Sequence, residues 1–181
     1  GALLADLFYD RIDWDPERDT IAAFALRLDP KGLEARKRNS DVPQVIRLAK
    51  YLRSKGVKVL FFGESIAEHA PEIMLEFSDD PGVFDMTKQF ASASLPYGRD
   101  AGILSRATFA IGMNTGNLDL ALATGIPGIR YGEYHYPAFN ASLVGDYTIN
   151  LMGVRGDDQV LRNSDTSIVS AIDDMLAYVT A

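Results

Sequence analysis

One segment of the sequence, residues 106–130, constrains the fold of this chain more than any other. Its pattern predicts a short buried strand, a tight turn, a helix of small residues and the start of a second strand. The predicted bounds are 107–111 for the strand, 114–116 for the turn, 117–124 for the helix and 128–131 for the second strand. Gly125 ends the helix, and Pro127 prevents it from resuming. A strand that runs directly into a helix leaves unpaired backbone N–H groups above the sheet edge, and such groups suit an anion such as a diphosphate.

Apolar runs of strand length alternate with helical patterns along the rest of the chain. The predicted strands are 20–27, 57–63, 82–86 and an edge strand at 146–151, and the predicted helices are 42–55, 66–77, 97–105 and a C-terminal helix capped at 164–166. Strands and helices that alternate at this spacing form right-handed βαβ units around a parallel sheet. The sequence therefore predicts an α/β fold, a Rossmann-like three-layer domain over residues 20–181 with a mainly parallel sheet. Residues 1–19 are expected to form a lead-in or linker segment.

Composition narrows the range of partners and locations. The chain has 181 residues, enough for one domain with its own core, and carries a formal net charge of −7. That charge disfavours nucleic acid as a partner, because neutralising phosphates requires a basic surface. No apolar run approaches the ~20 residues that span a bilayer, and we expect neither a transmembrane segment nor a signal peptide. The sequence has no cysteine, which excludes disulfides and thiolate catalysis and agrees with a cytoplasmic location.

Ligands of parallel sheets bind beyond the carboxyl ends of the strands, which directs attention to the turn after the fourth predicted strand. Asn114, Thr115, Gly116 and Asn117 would present backbone N–H groups and polar side chains to a diphosphate there. Helix capping after a tight turn explains the same residues. Asp119 follows in the first helical turn, where its charge would repel a phosphate unless it points sideways. Its carboxylate could instead accept a hydroxyl of a sugar or ribose.

Two other predicted strands also end in polar residues. Arg27 ends the first strand and opens a basic loop that contains Lys31 and residues 36–38, and these cations could clamp phosphate oxygens. A solvated charged loop is the alternative. Glu64 follows the second strand, where it could bind sugar or ribose hydroxyls or cap the next helix.

The fifth strand is followed by aromatic residues, a carboxylate and a histidine. Glu133 and its aromatic neighbours suit stacking and hydroxyl recognition, although a loop stopped by proline explains them too. His135 is a weak candidate for a general base, because no partner carboxylate can be placed beside it. His69 is expected at the surface, and two histidines alone do not make a usual zinc site. These residues therefore predict no usual zinc site. We expect no cofactor, and the catalytic residues are unknown.

The order of elements resembles a known family. The motif Ile-Gly-Met-Asn-Thr-Gly, with the later run Gly-Ile-Pro-Gly-Ile-Arg-Tyr-Gly, is similar to the C-terminal nucleotide-sugar-binding domain of GT-B glycosyltransferases. The likeness is to bacterial heptosyltransferase-type enzymes and related polysaccharide glycosyltransferases. It runs from about residue 20 to residue 136 and is most specific over 107–132.

The turn departs from the heptosyltransferase pattern at two positions. Those enzymes usually have an acidic residue, Ser or Thr, Gly, two further residues and a His. Here Asn114 stands in the acidic position, Thr115 and Gly116 match, and Asp119 replaces the His. The resemblance thus implies a nucleotide-sugar donor without assigning heptose to it.

The resemblance also implies roles for individual residues. Thr115, Gly116 and Asn117 would hold the diphosphate of the donor, and Arg27 with Lys31 would neutralise the charge of the leaving group. Glu64 would contact hydroxyls of the donor, and Thr87 with Met86 would lie near the nucleotide base.

A GT-B enzyme has a second domain that binds the acceptor and normally supplies the catalytic base. The resemblance therefore implies that this chain is one half of a GT-B fold, transferring a sugar to a glycan or lipid-linked acceptor. A partner domain or chain could dock on the apolar residues of the N-terminus, Leu3, Leu4, Leu7 and Phe8. Two other hypotheses remain open, a sugar-nucleotide epimerase or hydrolase and a non-catalytic domain that serves assembly.

Overall fold

The structure is a computed structural model that describes residues 14–28, 39–89, 96–113, 115–133, 147–155 and 161–181. Strands and helices alternate along most of these residues. In chain order they are β1 (Ile21–Leu26), α1 (Val42–Ser54), β2 (Lys58–Gly63), α2 (Ile66–His69), α3 (Pro71–Glu76), β3 (Val83–Asp85), α4 (Met86–Gln89), α5 (Pro96–Leu104), β4 (Phe109–Met113), α6 (Gly116–Leu122), β5 (Gly128–Glu133), β6 (Thr148–Met152), β7 (Val154–Arg155), β8 (Leu161–Arg162) and α7 (Asp165–Val179).

Six of the strands form one sheet in the order β3-β2-β1-β4-β5-β6, and every neighbouring pair is parallel. The strand order reverses between β1 and β4, where the register aligns Ala22 with Phe109 and Ala25 with Gly112. This reversal is the switch point at which such sheets bind ligands. The predicted α/β, Rossmann-like fold with a parallel sheet is confirmed. A separate antiparallel pair, β7 and β8, was not predicted.

Both faces of the sheet are covered, because the central strands are apolar on both sides. All six residues of β1 are buried. One apolar cluster joins alternate strand residues to α1, α3 and α7, and the other joins the remaining strand residues to α5 and α6. The arrangement is the predicted three-layer structure of helices, sheet and helices.

The helix predicted over 66–77 is wrong in one respect, because the structure divides it into α2 and α3 at Ala70. Pro71 has no N–H to continue the helix, and it disfavours helical geometry in the residue before it. Ala70 accordingly has φ −154° and ψ 55°. The fourth strand begins two residues later than predicted, at Phe109, and α4 occupies the start of an expected loop.

Part of the described segment before β1, residues 14–20, packs against the sheet. Trp14 lies in the segment expected to be a lead-in, yet its side chain is only 5% exposed. Its indole Nε1 donates to the carbonyl of Pro81 at 3.2 Å, and its ring meets Phe84 edge to face. The described part of this segment therefore contributes to the core. Among the residues that the structure describes, no helix is long and apolar enough to cross a membrane.

Candidate functional site

The carboxyl ends of β2, β1 and β4 are tied together by two side chains. Glu64 directly follows β2, and Asn117 lies in the first turn of α6, after β4. The Asn117 Nδ2 donates to the Leu26 carbonyl of β1 at 2.9 Å and to Glu64 Oε2 at 3.2 Å. The same Oε2 accepts the backbone N–H of Leu28 at 3.2 Å. These contacts, which we call the strand-end clamp, lie at the switch point of the sheet.

Gly63 makes this close approach possible. Its φ is +118°, in a region that side-chain-bearing residues rarely adopt. A Cβ atom there would lie 2.3 Å from the Leu26 carbonyl oxygen and 2.8 Å from Asn117 Nδ2. Only glycine therefore lets β2 end beside β1 with the Asn117 amide between them.

Thr115 caps α6 with its side chain. The residue is only 2% exposed and has extended backbone, and its hydroxyl accepts the Leu118 N–H at 3.4 Å. The hydroxyl thus performs the capping that the sequence left open as an alternative to ligand binding. Gly116, the next residue, is exposed, and a Cβ at this position would meet none of the described residues within 4 Å. The described residues therefore leave space beside the backbone at the start of α6.

Asp119 points sideways toward β5. One of its carboxylate oxygens accepts a hydrogen bond from Arg130 Nη2 at 2.6 Å. The Arg130 side chain is 11% exposed and that of Asp119 is 33% exposed, so the pair is partly shielded from water. The positive charge of Arg130 offsets the negative charge of Asp119 beside the turn. Sequence reasoning did not single out Arg130, although a cation within the apolar run of β5 was the available signal.

Thr87 is engaged within the protein. Its hydroxyl donates to Asp85 Oδ1 at 2.5 Å and accepts the backbone N–H of Ile66 at 3.2 Å. The Thr87 N–H also donates to that carboxylate oxygen, at 2.8 Å. Asp85 is 6% exposed, and sequence reasoning missed it, although an Asp at the end of an apolar strand was a visible signal. Thr87 thus joins the start of α2 to the end of β3.

Arg27 leaves β1 at the same edge of the sheet. Its backbone N–H donates to Ser40 Oγ at 3.0 Å, and the Ser40 N–H donates to the Arg27 carbonyl at 2.8 Å. These two bonds bring together the ends of the basic loop. Lys31, within that loop, lies outside the described residues, as do Asn114 and His135. Glu133 ends β5, and only its backbone is described.

Beneath the edge, Tyr131 of β5 lies in the core. It is 2% exposed, and its hydroxyl has no hydrogen-bond partner in the described part of the chain. Burial raises the pKa of Tyr131 far above its ordinary value, and the negative charges of Asp41 and Asp165 act in the same direction. The phenol therefore stays neutral. Within the described ranges, no group of three or more His, Asp or Glu side chains could hold a metal ion.

The chain is similar in structure to solved bacterial glycosyltransferases. A glycosyl transferase family 9 structure from Veillonella parvula superimposes with a TM-score of 0.72 at 14% identity, covering 98% of this chain and 51% of that one. The E. coli ADP-heptose lps heptosyltransferase II gives 0.74 at 13% identity, covering 100% of this chain and 53% of that one. The E. coli heptosyltransferase WaaC, solved with ADP-2-deoxy-2-fluoro heptose, gives 0.62 at 16% identity, covering 94% and 47%.

No protein-family model and no curated protein sequence matches the chain. The chain spans about half the length of the solved structures that it resembles. At this low sequence identity the likeness concerns the fold, and it agrees with the fold expected from the sequence. The chain has the Rossmann-like α/β fold found in one half of these glycosyltransferases.

Proposed function

We propose that this chain is the donor-binding domain of a bacterial glycosyltransferase that uses a nucleotide-diphosphate sugar. The observation that carries the proposal is the strand-end clamp at the switch point of a sheet whose structural neighbours are glycosyltransferases. In the described part of the chain, Glu64 Oε1 accepts no hydrogen bond, whereas Oε2 accepts two. A carboxylate oxygen left at this edge suits a hydroxyl of the ribose or of the donor sugar.

The turn and the basic loop would bind the diphosphate. The open space beside Gly116 lets phosphate oxygens approach the backbone at the start of α6. Asn114, Thr115 and the loop cations Arg27 and Lys31 complete this part of the proposal. Their role in transfer is electrostatic, because positive charge and N–H donors stabilise the departing nucleotide diphosphate in the transition state. No metal ion or cofactor is needed in this scheme.

The remaining predicted contacts are with the sugar and the nucleotide base. Asp119 would accept a hydrogen bond from a sugar hydroxyl while it stays paired with Arg130, and Glu133 would bind a hydroxyl from the end of β5. Thr87 would place the end of β3 near the base, with its hydroxyl already bonded to Asp85.

The acceptor and the catalytic base are proposed to belong to a second domain. The solved neighbours are about twice as long as this chain, which supports a division of work between two halves. The apolar N-terminal residues Leu3, Leu4, Leu7 and Phe8 would contact that partner, and the acceptor would be a glycan or a lipid-linked acceptor. The lack of cysteine supports a cytoplasmic location for the reaction.

Titration calorimetry of the chain with UDP, GDP, ADP and CDP tests the proposal. At least one nucleotide should bind with a millimolar or lower Kd, since ADP accompanies heptosyltransferase WaaC in a similar solved structure. Glu64→Ala should weaken the tightest of them roughly tenfold, which corresponds to the loss of one hydrogen bond to a charged group. Glu72→Ala is the matched control, because Glu72 is exposed on α3. Absence of binding by all four nucleotides, with circular dichroism showing a folded chain, would exclude donor binding and favour an assembly role.

A further inference from the structure

We propose that Asn117 is a positioning residue that fixes the Glu64 carboxylate, and that its side chain does not bind the diphosphate. This inference rests on the proposed function, because Glu64 is the group through which Asn117 acts on the donor. It changes the role implied by the resemblance, in which Asn117 contacts phosphate oxygens directly.

A side-chain amide nitrogen carries two hydrogens, and both of those on Asn117 have acceptors inside the protein. One acceptor is the Leu26 carbonyl at 2.9 Å, and the other is Glu64 Oε2 at 3.2 Å. The atom that remains, Oδ1, is an acceptor and cannot donate to a phosphate oxygen. A diphosphate could therefore gain a donor from this side chain only if the strand-end clamp opened.

Opening the clamp would remove a donor from each of two strong acceptors. The Leu26 carbonyl ends β1, and Leu26 is fully buried. Glu64 Oε2 would keep a single donor, the Leu28 N–H at 3.2 Å. A part-buried acceptor that loses its donor is energetically unfavourable, so the clamp favours its closed form.

The closed clamp determines where Glu64 can act. Its Oε2 receives donors from two directions, one on β1 and one on α6, and these hold the plane of the carboxylate. Gly63 sets the backbone at a φ of +118°, so the starting point of the side chain is fixed as well. Oε1 is thereby presented in one orientation to a hydroxyl of the donor, which is how a preorganised contact gains affinity.

A double-mutant cycle on nucleotide binding separates positioning from direct contact. The probe is the ribonucleoside diphosphate that binds most tightly among UDP, GDP, ADP and CDP, titrated calorimetrically into the full chain. Asn117→Ala should weaken binding roughly tenfold in the wild-type background and less than twofold in the Glu64→Ala background. An equal loss in both backgrounds, or no loss in either, would overturn the proposal.

The number of phosphates on the probe gives a second readout. A residue that acts through Glu64 should weaken the nucleoside monophosphate and the diphosphate by the same factor. A larger loss for the diphosphate would assign Asn117 to the phosphates and overturn the proposal. Asn150→Ala is the matched control, because Asn150 is exposed on β6, and it should leave both affinities unchanged.

A second pair of variants keeps the test valid if Asn117→Ala does not fold. Asn117→Asp has nearly the same shape but donates no hydrogen and places two carboxylates together, so it should weaken binding more than Glu64→Gln does. Combining Asn117→Asp with Glu64→Gln restores an amide facing a carboxylate, and the double variant should bind more tightly than Asn117→Asp alone. Failure of this rescue would contradict the positioning role. If the wild-type chain binds none of the nucleotides, the proposed function itself fails, a result distinct from the other outcomes.

Discussion

A polar network built around a glycine lies at each end of the parallel strands. One is at their amino ends, which we call the amino edge, and one is at their carboxyl ends, which we call the carboxyl edge. The two networks differ in net charge. At the amino edge, the Arg53 guanidinium donates to both oxygens of Asp80, at 2.9 and 3.0 Å, and to the Val57 carbonyl at 2.8 Å. It lies against Gly82, where a Cβ would be within 2.1 Å of it. At the carboxyl edge, Glu64 and Asn117 meet beside Gly63 in the same manner.

The charges in the network at the amino edge cancel each other, whereas the network at the carboxyl edge keeps a negative charge. Arg53 neutralises Asp80, whose Oδ1 also accepts the Gly82 N–H at 2.8 Å. Glu64 meets only neutral N–H donors in the described part of the chain, and one of its oxygens accepts none. A network whose charges cancel internally contributes to stability, and one that keeps a charge and an acceptor can recognise a ligand. Under the proposed function, the carboxyl edge would therefore contact the donor, whereas the ion pair of the amino edge contributes to stability.

The largest expected effect is that of Gly63→Ala, which breaks the carboxyl edge. Alanine would be strained at a φ of +118°, and its Cβ would meet the rigid backbone oxygen of Leu26. Strain and overpacking each cost about 1–3 kcal/mol, so we expect a loss of about 3 kcal/mol or more in the free energy of unfolding. Urea denaturation followed by circular dichroism measures this loss. Gly116→Ala is the control and should stay within about 0.5 kcal/mol of wild type, since none of the described residues lies near its Cβ. Equal midpoints for the two variants would contradict the prediction.

The next effect is that of Arg53→Met, which breaks the amino edge without touching the other. Arg53 and Asp80 are 24% and 28% exposed, and we expect a loss of about 2 kcal/mol in unfolding free energy. Nucleotide affinity should not change, which would confirm that this edge is structural. An equal loss of affinity and stability would remove the distinction between the edges.

The same variant should also change how stability depends on pH. The hydrogen bond from Arg53 is the main cause that lowers the pKa of Asp80 below its ordinary value of 3.8, and the Gly82 N–H adds to it. Because the folded pKa is the lower one, this contribution is complete above the unfolded pKa and is lost as the pH falls through the folded value. The gap in stability between wild type and Arg53→Met should therefore be full at pH 7 and shrink below about pH 4. A gap that stays constant down to pH 3 would show that Asp80 is not the partner that matters.

The fold was more predictable from the sequence than the contacts at the site. The apolar run at β1 and the helix stop at Gly125 are local signals. Gly125 does have a positive φ, as does Gly56 after α1. The break between α2 and α3 was also a local signal, since Pro71 is visible in the sequence. What was missed there was the effect of proline on the residue before it.

The partners of the site residues depend on long-range geometry. Glu64 and Asn117 are 53 positions apart, and Asp119 finds Arg130 on the neighbouring strand. The sequence gathered these residues at one edge through the parallel sheet, but it could not say which donor meets which acceptor. The hydrogen bonds of the Thr87 hydroxyl are a similar case, because they depend on how the end of β3 lies beside the start of α2.

Asp119→Asn is expected to have an effect smaller than that of Arg53→Met and larger than that of a fully surface ion pair. The variant keeps an oxygen near Arg130 Nη2 but removes the negative charge that balances a cation only 11% exposed. Since Asp119 itself is 33% exposed, water screens part of the loss, and we expect about 1 kcal/mol in unfolding free energy. Asp174→Asn is the matched control, because Asp174 is exposed on α7. If the two variants denature at the same urea concentration, the Asp119–Arg130 pair does not contribute to stability.

The smallest effect is expected for Arg47→Ala, where ionic groups lie at the outer surface instead of a sheet edge. Arg47 contacts Asp165 at the start of α7, with side chains 55% and 36% exposed. Arg47 donates through Nε at 2.5 Å and Nη2 at 3.2 Å, and its bond lowers the pKa of Asp165. Because water and salt screen exposed charges, the variant should lose a little stability at low ionic strength and none at ~0.5 M salt. The loss from Arg53→Met should persist at both salt concentrations, since that pair is mostly shielded from water. If salt removes both losses equally, the difference in burial does not distinguish the Arg53–Asp80 pair from the Arg47–Asp165 pair. In that case the net charge at the carboxyl edge is not by itself evidence that this edge binds a ligand.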